Sequence, residues 1–164
     1  RHLPFEQVGL FMTGSHNMKI TQAISLFLLI AGLSFSALAD NRPYKEYGDL
    51  KVFFSAFNSS FIQPDVASSY NIVRGKDKGL VNIAVVKNGQ MGGLPAVVKG
   101  TVSNIFGQQQ VLEFTEIREE NAVYYLAPFR FDKEDWMTFK IDVSPDSDKA
   151  THSLTFQRKF YVDE

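Results

Sequence analysis

Cysteine is absent from the 164-residue chain. Its absence excludes disulfide bonds, a thiol nucleophile, zinc–thiolate sites and iron–sulfur clusters, because each of these needs cysteine sulfur. Whatever domain the chain forms must therefore be held together by packing and hydrogen bonds alone.

Histidine is scarce. The chain has 3 histidines, and His152 is the only one after residue 39. A Ser-His-Asp arrangement would have to use it, but it lies in the polar stretch 149–153, which predicts an exposed loop residue. Zinc sites usually take three or four protein ligands, so this one histidine does not indicate a metal site.

Carboxylates are present, but not in a pattern typical of catalysis or calcium binding. One cluster is DKED at 132–135, and the other is Asp142, Asp146 and Asp148 around a proline. Neither has the spacing of an EF-hand loop, and both are typical of solvated turns. No nucleophile elbow, phosphate loop or dinucleotide fingerprint occurs. The sequence therefore favours a non-catalytic protein with no cofactor and no metal.

A membrane-spanning hydrophobic run is also missing. The apolar run at residues 23–35 is 13 residues long, whereas a spanning helix needs roughly 20. It begins five residues after Met18 and is followed by Ala-Leu-Ala, the small-residue pattern of a cleavage site. We therefore expect residues 18–39 to be a signal peptide that is cleaved between Ala39 and Asp40. No cysteine follows that point to carry a lipid anchor.

The rest of the chain divides into two parts. Residues 1–17 are interpreted as an upstream segment outside the native protein, with Met12 or Met18 as the start, and residues 40–164 are predicted to form a single domain. That domain has 15 basic and 17 acidic side chains, a net charge of 15 − 17 = −2. The charge balance gives no basis for binding nucleic acid or anionic lipid.

Alternating apolar and polar residues dominate the predicted domain, and helical periodicity is nearly absent. The pattern predicts seven strands separated by glycine, asparagine, aspartate and proline turns. We expect a seven-stranded immunoglobulin-like β-sandwich with one short helical insert after the first strand. The predicted strands are 49–58, 79–86, 96–106, 111–118, 122–131, 136–143 and 153–162.

The insert, residues 58–78, separates the first two predicted strands. Pro64 is well placed to begin a short helix that continues to Tyr70. A basic, glycine-bracketed loop follows, with Arg74, Lys76 and Lys78. This loop indicates either a contact for an anion or acidic peptide, or a solvated loop in which Arg74 bonds Asp65 or a backbone carbonyl.

Two asparagines have predicted structural roles. Asn58 is expected to form a turn or helix cap through its short side chain. Asn82 interrupts the apolar run GLVNIAVV, so if buried it must be hydrogen-bonded, and it would tie the insert to the sheet. Phe53 and Phe57 lie on the face of the first predicted strand that is opposite its apolar face. They either meet the insert or form an exposed patch.

Four stretches carry a family resemblance: residues 47–86, with Asn58 to Val85 the most distinctive part, GTVSNIFGQ at 100–108, AVYYLAPFRF at 122–131 and LTFQRKFYVDE at 154–164. Together they resemble a small family of exported proteins of Gram-negative bacteria, domain of unknown function 4426, over essentially all of residues 44–164. The resemblance implies a periplasmic location and a β-sandwich, and it supplies no catalytic residue.

These observations favour a non-catalytic protein-interaction or envelope-accessory module. Its partner would be a periplasmic or envelope protein, taken up as an extended strand at an open sheet edge. The predicted contact surface is Phe57, Phe61, Tyr70 and Arg74, beside the basic loop. The alternative is a small-molecule (anion) binder, or a hydrolase, with a pocket under the insert.

Overall fold

A computed structural model of the protein describes residues 42–147 and 149–163. The predicted upstream segment and signal peptide fall in residues 1–41, and these, with Asp148 and Glu164, lie outside the described residues. Within the described part of the chain, no helix is long and apolar enough to cross a membrane.

Two antiparallel sheets make up the domain, as the alternating pattern predicts. The five-stranded sheet has the order β1-β2-β3-β7-β6, and the four-stranded sheet has the order β5-β4-β8-β9. A 3-10 turn (Ser59–Phe61) and helix α1 (Pro64–Ser69) lie between β2 and β3. The strands are β1 (Tyr44–Tyr47), β2 (Leu50–Asn58), β3 (Lys78–Lys87), β4 (Ala96–Ser103), β5 (Gln109–Leu112), β6 (Thr115–Glu119), β7 (Ala122–Arg130), β8 (Glu134–Pro145) and β9 (His152–Tyr161).

The strand order is that of an immunoglobulin-like sandwich with two additions. β2-β3-β7-β6 corresponds to the A-B-E-D sheet, and β4-β8-β9 corresponds to C-F-G. β1 extends the first sheet at one edge, and β5 extends the second. The predicted β-sandwich is therefore confirmed.

The described ranges contain nine strands rather than the predicted seven. The polar segment Tyr44–Tyr47 pairs with β2, although its sequence has no apolar alternation. The predicted strand 111–118 is in fact two strands, because the chain leaves the four-stranded sheet after Leu112 and enters the five-stranded sheet at Thr115. The insert consequently follows the second strand, not the first.

Alternation along β8 defines the core as the sequence predicts. Met137, Phe139, Ile141 and Val143 are all at most 1% exposed. Phe139 stacks on Phe156 of β9 with ring centroids 4.7 Å apart. Offset and edge-on ring contacts of this kind add to the burial of apolar area, so the aromatic residues are chiefly core.

Side chains close one side of the sandwich, where β1 and β2 face β9. Three donors on β1 and β2 bond backbone carbonyls of β9: Lys45 to Thr155 (3.4 Å), Tyr47 to Ser153 (2.9 Å) and Asn58 to Tyr161 (2.9 Å). In return, Arg158 on β9 donates to the carbonyl of Ala56 on β2. Edge groups occupied by side chains are poor templates for another chain.

Candidate functional site: the insert and the sheet face beneath it

Ser59 closes the insert at its base. The residue is 0% exposed. Its hydroxyl donates to the carbonyl oxygen of Gly75 and accepts from the amide nitrogen of Gly75, each at 3.0 Å. A loop whose two ends meet in this way is an Ω-loop. One side chain thus pairs with both backbone groups of Gly75, whose carbonyl also accepts from the amide of Lys78 at 3.3 Å.

Helix α1 packs its Ala67 side chain inward, and this residue is 2% exposed. Pro64 occupies the first turn of the helix, as predicted. Amide hydrogens in the first turn have no acceptor within the helix, so proline, which has no amide hydrogen, costs no hydrogen bond at this position. Past the helix, Asn71 adopts a φ of 55°, and the amide of Ile72 bonds the carbonyl of Ala67 at 2.8 Å. This reversal returns the chain toward the sheet.

The basic loop is bonded to the domain through its backbone. The carbonyl of Asp77 accepts from the amide of Phe131 at 3.0 Å, and that of Lys76 accepts from the amide of Asp163 at 3.4 Å. The exposed Arg74 donates to the carbonyl of Ser60 at 3.2 Å, which is the structural alternative that the sequence left open for it.

Asn58 does not cap a helix, and the predicted cap is wrong. No side-chain cap bond forms at the 3-10 turn. Instead the Asn58 amide nitrogen donates to the carbonyl of Tyr161 at 2.9 Å and to Asp163 Oδ1 at 3.0 Å. The residue therefore ties the end of β2 to the end of β9, a contact across more than a hundred residues of sequence.

Two cavities lie between the insert and the outer face of the five-stranded sheet. The large cavity, about 430 Å³, opens beside β5 and β6, and the small cavity, about 220 Å³, lies beneath α1. Both are lined by Tyr70, Ile72, Ile117 and Leu126, so the cavities are neighbours that share those four side chains.

The large cavity carries charges of both signs. Lys78 and Arg130 line it and are directly opposite each other in the β3–β7 register. Glu113 lines it as well. The amide side chain of Gln110 bonds both backbone groups of Arg130, at 2.7 and 2.8 Å, which fixes this end of the cavity to β5.

The small cavity is mostly apolar and aromatic, with one buried acceptor. Asn82 Oδ1 is buried and has no hydrogen-bond partner among the described residues. This oxygen therefore makes no hydrogen bond to the insert. Glu119 lines the same cavity and accepts a hydrogen bond from the Tyr70 hydroxyl. That hydrogen bond is the main reason why the pKa of Tyr70 is raised, with burial adding to it.

The structure brings only some of the predicted site residues together. Phe57 and Tyr70 line the small cavity, and Tyr70 and Lys78 line the large one. Phe61 is 74% exposed on the outer surface of the insert, and Lys76 in the basic loop is exposed as well. Three residues of this site were not predicted, because no motif signals their roles and each acts on a residue far along the chain: Ser59, Gln110 and Glu119.

Both possibilities considered for the off-face phenylalanines occur. Phe57 meets the insert in the small cavity. Phe53 remains 36% exposed, with Tyr44 of β1 at 5.2 Å between ring centroids. The prediction that His152 is an exposed loop residue is wrong. It begins β9, is half-buried, and its ring lies 4.6 Å from that of Tyr47.

The chain is similar to known proteins in sequence and in fold. The family model described as Domain of unknown function (DUF4426) matches residues 44–163. No curated protein sequence matches the chain. The chain is similar to the crystal structure of a DUF4426 family protein from Pseudomonas aeruginosa PAO1, with 33% identity and a TM-score of 0.66, covering 74% of this chain and 95% of that one.

A more distant similarity is to FetP of uropathogenic Escherichia coli strain F11. FetP recombinantly expressed in the periplasm matches with 11% identity and a TM-score of 0.50, covering 74% of this chain and 94% of that one. A copper-bound variant of FetP matches with 10% identity and a TM-score of 0.54, covering 73% and 94%. At these identities the likeness shows a shared fold alone.

Because of the Ser59 contact, we expect alanine substitution of Ser59 to lower the free energy of unfolding much more than alanine substitution of the adjacent Ser60. Ser59→Ala leaves the amide of Gly75 without a partner and its carbonyl with the amide of Lys78 alone, which costs about 1–3 kcal/mol of unfolding free energy. Ser60→Ala is the matched control, since the Ser60 hydroxyl bonds only the carboxylate of Asp163, at the surface, and its effect stays within about 0.5 kcal/mol. Urea unfolding measures both values, and equal losses would contradict the role assigned to Ser59.

Proposed function

The chain belongs to the DUF4426 family, and on this basis we propose that it is a non-catalytic protein-interaction module of the bacterial periplasm. Its task is to hold an extended segment of an envelope protein along the open edge of β6. The observation that carries this proposal is the asymmetry between the two sides of the sandwich.

On the side formed by β5 and β6, Gln110 of β5 bonds the backbone of Arg130 on β7, but the edge of β6 itself lacks the closure found on the opposite side. Within residues 42–147 and 149–163, no side chain bonds the backbone of β6, whereas four such bonds close the β1, β2 and β9 side. An exposed strand edge offers backbone donors and acceptors to a further strand, which supplies the affinity in strand-addition complexes.

The charge of this edge indicates the kind of segment that fits. Between residues 113 and 120 there are four glutamates and one arginine, a local net charge of 1 − 4 = −3. Glu113, Glu119 and Glu120 lie at or beside the ends of β6, and Glu116 is paired with Arg118 at 2.5 Å. Complementary charge speeds association and selects the partner, so a lysine- or arginine-bearing segment suits β6.

Site-specific photo-crosslinking in the native periplasm tests the strand uptake. A benzoyl-phenylalanine in place of Arg118 is expected to give a crosslinked adduct whose partner peptide is extended and basic. The same probe in place of Gln157, an exposed position on the closed β9 side, is the matched control.

The second part of the photo-crosslinking experiment reverses the charge of a glutamate beside β6. Glu120→Lys is expected to lower the adduct yield about tenfold, because it reverses a charge beside the docking edge, while Glu46→Lys on β1 leaves it unchanged. Adducts of equal yield at positions 118 and 157, or none at 118, would overturn the proposal.

The periplasmic location rests on the signal-peptide pattern of residues 18–39. Expression of the full coding sequence in a Gram-negative host is expected to give a periplasmic product whose amino-terminal residue is Asp40. Replacing Ala39 with arginine removes the small residue that the peptidase requires and leaves the precursor uncut. Amino-terminal sequencing of fractionated cells measures both results, and an uncleaved wild-type chain in the cytoplasm would refute the location.

A second candidate function is binding of a small anion in the large cavity. Its support is the direct cross-strand pairing of Lys78 with Arg130, because like charges opposite each other are destabilising and a bound anion relieves them. Inorganic phosphate titrated into the protein is expected to shift the amide resonances of both residues, and Lys78→Ala to abolish the shift. Shifts that persist in this variant would exclude the site.

We propose neither copper binding, as in the FetP variant, nor hydrolysis for this chain. The likeness to FetP shows fold alone. The described residues also contain no group of three or more histidine, aspartate or glutamate side chains placed to hold one metal ion. The ring of His152 lies 4.6 Å from that of Tyr47, and His152 lines neither cavity under the insert.

A further inference from the structure

The edge of β6 leads into the large cavity at the end where β6 begins. Thr115, the first residue of β6, pairs with Leu126 of β7. β7 continues to Arg130, so its last four residues extend past the start of β6, by about 13 Å at the rise of an extended strand. Thr115, Leu126 and Arg130 all line the large cavity. An extended segment that lies along β6 and continues beyond Thr115 therefore reaches this cavity.

Two cations stand at the cavity end. Lys78 of β3 is half-buried, Arg130 of β7 is exposed, and the two are opposite each other in register. Within residues 42–147 and 149–163, neither side chain forms a hydrogen bond or a salt bridge. Glu113 is the one carboxylate among the described lining residues, so their net charge is 2 − 1 = +1. This end therefore favours a negatively charged group.

The other end of β6 is acidic. Glu119 is the last residue of β6, Glu120 follows it, and both are exposed. The hydrogen bond from the neutral Tyr70 hydroxyl leaves the charge of Glu119 in place. The charge along this edge thus changes sign between its two ends. A segment of complementary charge carries basic side chains beside Glu119 and a negative group at the cavity.

The direction of such a segment follows from the strand pairing. β6 and β7 are antiparallel, so a segment antiparallel to β6 runs in the same direction as β7, which ends at Arg130. Its carboxyl end then lies at the cavity, and its upstream part lies beside Glu119. Antiparallel pairs are also slightly more stable than parallel ones. A carboxyl terminus is the negative group that every chain carries at that end.

The cavity has apolar surface for the last side chain of the segment. Its volume of about 430 Å³ lies within the roughly 300–1,000 Å³ of ordinary ligand pockets. Val73 of the insert is 66% exposed, Leu126 is half-buried and Pro128 is exposed, and all three line the cavity. In strand-addition complexes, pockets for individual side chains supply the specificity. An apolar last residue suits this surface.

We propose that the segment held along β6 is the carboxyl-terminal tail of its partner, aligned antiparallel to β6. The terminal carboxylate pairs with Lys78 and Arg130, and the apolar last side chain enters the large cavity. Basic side chains upstream lie beside Glu119 and Glu120. This inference rests on the proposed strand uptake, to which it adds the end, direction and terminal chemistry of the partner segment.

Two peptides test the role of the carboxylate by calorimetric titration of the purified protein. They are acetyl-KTKVTVTL with a free carboxyl end and the same peptide with an amidated end. The free acid is expected to bind at least about tenfold more tightly than the amide, because only the acid carries a charge for the two cations.

Paired substitutions assign that difference to the cavity. Lys78→Gln combined with Arg130→Gln is expected to weaken the acid about tenfold and to leave the amide unchanged. The fold is retained, because Gln110 bonds only the backbone of Arg130. The matched control is Lys99→Gln combined with Lys140→Gln, at two exposed positions of the four-stranded sheet, which alters neither affinity.

Glu113→Gln gives a change of opposite sign. It removes the one carboxylate of the cavity, so it is expected to strengthen binding of the acid and to leave the amide unchanged. Equal affinity of acid and amide for the wild-type protein would overturn the proposal. An equal loss of acid affinity in the Lys99 and Lys140 control would also do so.

Mass spectrometry of the adduct formed at position 118 in the periplasm identifies the end of the partner. The crosslinked peptide is expected to be the carboxyl-terminal peptide of its protein. An internal peptide, including one that offers an aspartate or glutamate side chain to the cavity, would overturn the tail while leaving strand uptake intact. No adduct at position 118, together with no binding of either peptide, would overturn strand uptake and the tail with it.

Discussion

One buried hydroxyl joins the two ends of the insert. Ser59 bonds both backbone groups of Gly75 from a fully buried position, and every feature of the site lies between or beneath those two residues. Helix α1 is only six residues long, too short to be stable by itself. Its position therefore depends on the closed ends of the loop and on the packing of Ala67, rather than on helix propensity.

The re-entry of the chain into the sheet imposes a second constraint. Gly79 lies opposite Phe129 in register, and a Cβ at Gly79 would meet the tip of that ring at 2.3 Å. Only glycine leaves room for the ring at this point. Phe129 in turn packs edge-on against Phe139, with centroids 5.1 Å apart. The base of the insert and the aromatic core are thus coupled through one glycine.

The distribution of polar side chains gives the molecule two dissimilar sides. On one, Tyr47, Asn58 and Arg158 are committed to backbone groups of the facing strands. On the other, Glu116 pairs with Arg118 and also accepts from Tyr125, which together lower the pKa of Glu116. There the charged side chains bond one another and leave the strand backbone accessible, an arrangement suited to contact with a partner.

The sequence by itself determined the sandwich, the faces of β8 and the start of α1 at Pro64, because alternation and proline chemistry are local properties of the chain. It did not determine the break after Leu112, since nothing local shows that a chain changes sheets. Only the tertiary structure decided that Asn58 reaches Tyr161, that Ser59 closes the insert and that Asn82 Oδ1 has no hydrogen-bond partner among the described residues. Each of these depends on which distant residues the fold brings within hydrogen-bonding distance, and a single sequence does not contain that information.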